Sequence, residues 1–114
     1  MNTLSSINVD FFKKTFYKAF LPLEEIDAFL TTFEERELEK ATQLLIKLFD
    51  VSVTNGLLAN MSTIQQKQEF LRLLENDPTH PVVLDFLVDT FPSSTELITQ
   101  LLERTLLSAK RAIM

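Results

Sequence analysis

Residues 95–114 read TELITQLLERTLLSAKRAIM, and the spacing of their apolar residues decides the fold class. Leu97, Ile98, Leu101, Leu102, Leu106, Leu107, Ala109, Ala112 and Ile113 recur at intervals of three and four, the period of an α-helix rather than the alternation of a strand. Ser93, with Glu96 three residues on, has the spacing of a capping box, so the helix is expected to start at Ser94 and run towards Ile113. Its apolar arc covers well over a third of the circumference, more than one neighbouring helix covers. Either this helix is central in a monomeric bundle, or the second neighbour comes from another subunit, in which case Leu97, Ile98, Leu101, Leu102, Leu106, Leu107 and Ile113 are expected to form a partner interface. Lys110 and Arg111 suit a helix C-terminus electrostatically and need no membrane to explain them.

The same period extends upstream. Asn8 or Asp10 is expected to cap a first helix reaching Phe20, with Val9, Phe12, Phe16 and Phe20 in one stripe and residues 1–7 as a loose tail. Leu21 before Pro22 ends that helix, and Pro22 opens the next in its first turn. Glu24, Glu25 and Asp27 follow where the helix dipole favours negative charge. Ile26, Phe29, Leu30 and Phe33 form its inner face. From Phe33 to Leu38 the stripe turns by about 140° before continuing through Ala41, Leu45 and Leu48, with Leu44, Ile46 and Phe49 broadening it. Two readings stand: one long helix over 22–50 that contacts different neighbours on two faces, or a kink near Glu34 to Glu37. A continuous or slightly bent helix is expected, because no Gly or Pro forces a stop. Its broad apolar arc also asks for a second neighbour.

Around Asn55-Gly56 two readings stand: a helix ending with Gly56 as its left-handed cap, which is expected, or a two-residue hairpin turn. Ser62 and Gln65 have capping-box spacing and predict a helix from Thr63 to about Glu75, with Ile64, Phe70 or Leu71, and Leu74 inward. NDPTHP (76–81) is a loop, and Val82 to Phe91 a short apolar helix ended by Phe91-Pro92. The chain is thus expected to be one all-α domain, 1–114, a bundle of about five helices. Its expected core is Phe12, Phe16, Phe20, Ile26, Phe29, Phe33, Leu38, Leu45, Leu48, Phe70, Leu74, Leu84, Leu87, Phe91, Leu101 and Leu102.

Composition removes most of the parts from which active sites are made. The 114 residues include one glycine, one histidine and no cysteine, so phosphate-cradling loops, thiol chemistry and most zinc sites lack their materials. His80 stands between two prolines with no serine or second histidine at a recognisable motif spacing. Glu35 and Glu39 lie one turn apart, but helix-bundle di-iron sites also need Glu-x-x-His pairs, which are missing. No catalytic residue, cofactor or metal is expected. The net charge of −5 disfavours sequence-independent nucleic-acid binding, and no apolar run is long enough to span a membrane. The opening MNTLSSINVDFFKK lacks the basic start and apolar stretch of a secretory signal, and with no cysteine a cytoplasmic setting is expected.

The run Leu21-Pro22 with Glu24 and Glu25, the long helix after it, then Met61-Ser62 with Gln65, Glu69, Phe70, Leu73 and Leu74 resembles short, acidic, all-helical bacterial proteins of unknown function, over roughly residues 20–75. The resemblance implies an intracellular helical bundle and carries no residue roles across. Two functions follow as expectations. The first is a non-catalytic interaction protein, a homo-oligomer or a small subunit or adaptor, presenting apolar helix faces. The second is an acidic inhibitor or mimic docking on a basic, nucleic-acid-binding surface of a partner. Between Glu24 and Glu39, seven acids face Arg36 alone, and Glu34, Glu35, Glu37 and Glu39 would form that acidic surface.

Overall fold

Where Phe33 and Leu38 must both face one core, the 140° phase change between them is met by breaking the helix. In the computed structural model, which describes residues 15–76 and 81–113, the break separates α1 (Leu23–Leu30) from α2 (Glu35–Asn60). The expectation of one continuous helix over 22–50 is therefore corrected. No glycine or proline makes this stop. Thr31 and Thr32 turn their hydroxyls back onto the carbonyls of Ala28 and Phe29, at 2.9 and 2.7 Å. The amides of Thr32 and Phe33 reach Phe29 and Leu30 in the tighter i→i−3 pattern, and Glu34 is extended. β-Branched residues that bond their own backbone compete with helix propagation. Phe33 then folds edge-on against Phe29, with centroids 5.3 Å apart.

Three further helices follow: α3 (Ile64–Asn76), α4 (Pro81–Thr90) and α5 (Ser94–Ile113). Among the described residues there is no strand, and the fold is an all-α bundle of five helices. The 26 residues of α2 span about 39 Å at 1.5 Å per residue, nearly the 45 Å long axis of the molecule. Leu101 of α5 lies against Gly56 of α2, whereas Ala112 shares an opening with Ala41 and Leu44, so α2 and α5 run antiparallel. That pair is the main contact of the bundle, with α3 and α4 packed as a second pair and Phe70, Val83 and Leu87 fully buried between them and the rest.

Both readings of Asn55-Gly56 are corrected as well. The helix ends neither in a hairpin nor at Gly56; α2 runs through it to Asn60, and Gly56 does not have positive φ. The physical reason lies across the interface. A Cβ at Gly56 would sit 2.5 Å from Leu101 Cδ1 and 2.8 Å from Cδ2, so glycine here lets α5 approach closely. Val53 before it and Leu57 and Met61 past it join the core.

Ahead of α1, residues 15–20 form turns and a short 3₁₀ helix, Lys18–Phe20, instead of the expected α-helix. Phe16 and Tyr17 are nonetheless buried, Tyr17 to 2% exposure. Phe16 stacks edge-on with Tyr17 at 5.2 Å and with Phe70 at 6.0 Å, so this segment ties α3 to the long helix. Leu21 is extended before Pro22, as the proline requires, and Pro22 sits at the N-cap of α1. The capping box of α3 begins one residue later than expected. Thr63 Oγ accepts the Gln66 amide at 3.1 Å, while Gln66 Oε1 accepts the Ser62 amide and hydroxyl. The bounds of α5 match expectation, with the Leu97 amide bonded to the Ser93 carbonyl. Expectations for residues 1–7, Asn8, Asp10, Phe12 and His80 lie outside the described residues.

Of the expected core, Phe16, Ile26, Phe29, Leu45, Phe70, Leu87 and Leu102 are buried, and the described remainder except Leu48 packs half-buried around them. Leu48 is 41% exposed and is the exception. Ile64 and Leu71 also point outward, because α3 buries only the side that carries Phe70.

Candidate functional site

Helix α2 carries two apolar stripes on adjacent faces. Leu45, Phe49, Val53 and Leu57 recur every fourth residue and form the spine of the core. Ala41, Leu44, Leu48 and Val51 recur at three, four and three, the spacing of a heptad seam. Among the described residues no helix lies on this second stripe: Leu44 is 59% and Val51 58% exposed. It borders an apolar hollow of about 170 Å³ lined by Phe29, Phe33, Ala41, Leu44, Leu45, Leu48, Ala109 and Ala112. The hollow continues past Leu48, Ala109 and Ala112 into an open trough that also meets Val51, Ser52, Arg104, Thr105 and Ser108.

The groove follows from residue size. At one end of the α2–α5 pair Gly56 admits Leu101 and closes the gap. At the other, the α5 residues that line the groove are, apart from Arg104, the short Thr105, Ser108, Ala109 and Ala112, which leave Leu44, Leu48 and Val51 uncovered. The result is a trough about 15 Å long between Ala41 and Val51, at 1.5 Å per residue.

Around it the charges are mostly positive. Lys47 lies three residues after Leu44 and four before Val51, and Lys40 four before Leu44, so both border the α2 edge. On the α5 side Arg104 lines the trough, and Arg111 follows Ser108 by three residues. All four are exposed, and among the described residues none is in an ion pair. The one acid on this line is Glu37, a turn before Ala41. Asp50 is turned away, where its carboxylate accepts a hydrogen bond from the Tyr17 hydroxyl. Burial, then the contact with Asp50, push the Tyr17 phenol far above its ordinary range; burial also raises Asp50, against the opposing effect of that hydrogen bond.

The residues expected at a partner interface fall elsewhere. Ile98, Leu102 and Leu106 are buried within the monomer and so are not part of its exposed apolar surface. Leu97 and Leu101 are half-buried, the latter on Gly56. Leu107 is exposed but lies about 160° round the helix from Ala109, off the groove. The side chain of Ile113 is outside the description. The exposed apolar stripe that borders the groove is thus on α2, within the broad arc around Leu44 and Leu48, while Leu23, Ile64, Leu71, Val82 and Val88 are exposed elsewhere. Val51, Ser52, Thr105 and Ser108 were missed; the 3-4-3 spacing from Ala41 to Val51 is the signal that finds Val51, and Ser52, Thr105 and Ser108 carry none.

Glu34, Glu35, Glu37 and Glu39 are all exposed at the start of α2, and Glu34 pairs with Arg36 at 3.0 Å. Together with Glu24 and Glu25 they occupy two successive helix N-termini, where the dipole favours them. Among the described residues no three His, Cys, Asp or Glu side chains gather as a metal site. No helix among them is long and apolar enough to cross a membrane. Compared with protein-family models, curated proteins and solved structures, the chain matches none.

Proposed function

We propose that this chain is a non-catalytic protein-binding module whose docking surface is the groove between α2 and α5. The supporting observation is the exposed stripe Leu44, Leu48, Val51, continuous with an apolar hollow. Exposed apolar side chains scattered singly need no explanation, but a contiguous stripe beside a concave apolar surface is the form a recognition site takes. A small adaptor or subunit in the cytoplasm suits a chain without cysteine.

Paired substitutions test this reading. Leu48→Glu places a charge in the groove, and Leu107→Glu places the same charge on exposed apolar surface away from it. Partner capture that survives Leu107→Glu and fails with Leu48→Glu, at equal thermal stability, is the expected result. Loss with both or with neither removes the groove from the function.

The second reading, an acidic surface that mimics nucleic acid for a basic partner, is favoured only by the exposure of Glu34, Glu35, Glu37 and Glu39. Changing the four to Lys is expected to abolish such binding, and survival of binding would end it.

A further inference from the structure

We infer that the occupant of this groove is an amphipathic helix whose apolar stripe is flanked by acidic residues, an inference that rests on the docking reading above. The geometry fits one helix. Anchors at Leu44, Leu48 and Val51 repeat at i, i+4 and i+7, the pattern by which helices dock in grooves. Opposite them, Ala109 and Ala112 leave room for a third backbone to approach.

Charge decides the character of that helix. A protein of net charge −5 has placed Lys40 and Lys47 along one edge of its apolar trough and Arg104 and Arg111 along the other. Acids flanking the partner's stripe on both sides meet cations on both edges; a basic helix meets four like charges. Pairing with a second copy is disfavoured by the same positions. Two α2 stripes packed antiparallel about a twofold axis would bring the Lys40–Lys47 edges of the two copies together. An open trough also suits a helix better than a fatty acyl chain, which an enclosed cavity would hold.

The test uses the full chain and two fluorescent helical peptides of about 18 residues, identical in a leucine stripe at i, i+4, i+7. One carries glutamates beside the stripe, the other lysines. By anisotropy at low salt, the glutamate peptide is expected to bind at least about tenfold more tightly than its twin, a preference that shrinks to about twofold in 1 M salt. The double variant Lys47→Glu, Arg104→Glu should reverse the order, and Leu48→Glu should abolish binding of both. Equal affinity for the two peptides would overturn the charge inference and leave the docking reading standing. No binding of either, or binding indifferent to Leu48→Glu, would remove the docking reading itself. A dimer in sedimentation that Leu48→Glu dissolves, or tighter binding to anionic lipid vesicles than to the acidic peptide, would replace the inferred occupant.

Discussion

The inner and outer stripes of α2 are made of the same kind of residue and have opposite fates. Leu45, Phe49, Val53 and Leu57 are buried, while Leu44, Leu48 and Val51, one or two residues away, stand in solvent. The difference comes from α5. Where Leu101 meets Gly56, the two helices close on each other; where Ala109 and Ala112 face α2, they leave a trough. Hydrophobicity alone therefore does not say which stripe is core. The size of the opposing side chain does.

The comparison breaks most visibly at Phe49. Phe49→Ala is expected to cost about 3–5 kcal/mol in chemical denaturation, because its ring is enclosed and the cavity cannot collapse. Gly56→Leu should cost about 2–3 kcal/mol by forcing α5 away from the closed end. Gly56→Ala should cost less, since Ala gains about 1 kcal/mol in helix propensity against the displacement of Leu101.

Tyr17 sharpens the comparison through pH. As the only tyrosine, in a chain without tryptophan, it reports its own ionisation in ultraviolet absorbance. Its folded-state pKa is raised, so its contribution to stability is complete below the ordinary value of 10.0 and declines as pH rises past it. Unfolding free energy should fall by about 1.4 kcal/mol per pH unit beyond that point, with tyrosinate appearing only as the chain unfolds. Tyr17→Phe should remove this alkaline slope. A tyrosinate signal titrating near pH 10 in the folded protein would show the Tyr17–Asp50 contact is not held.

On the outer stripe the expected effect is small. Leu44→Ala and Leu48→Ala should each change stability by less than about 1 kcal/mol, which thermal unfolding resolves against Phe49→Ala. A loss as large as that of Phe49 would mean the outer stripe is covered. Smallest of all is Ser94→Ala. The Ser94 hydroxyl is fully buried without a hydrogen-bond partner among the described residues, so its removal should leave stability unchanged or raise it by about 0.5 kcal/mol.

Local features were read where local chemistry settles them. The period of the apolar residues fixed the helices, Pro22 fixed the entry to α1, and the polar caps placed the starts of α3 and α5 within one residue. The break at Thr31–Glu34 was visible as a phase change but not as a stop, since threonine back-bonding is weak by itself and prevails only when both flanking stripes must face one core. Tyr17 gave no signal of its burial, because its partner Asp50 lies 33 residues away.

The sequence by itself determined an all-helical chain, because periodicity and capping act between residues a few positions apart. It also supplied two apolar stripes on α2 and a wide apolar arc on α5. Only the tertiary structure decided which of these became interior. Leu101 reaching Gly56 from 45 positions away sets the closeness of the two helices, and the small residues near the end of α5 leave the outer stripe open. Whether an apolar face is covered depends on the volume of what stands opposite it, and no local pattern carries that volume.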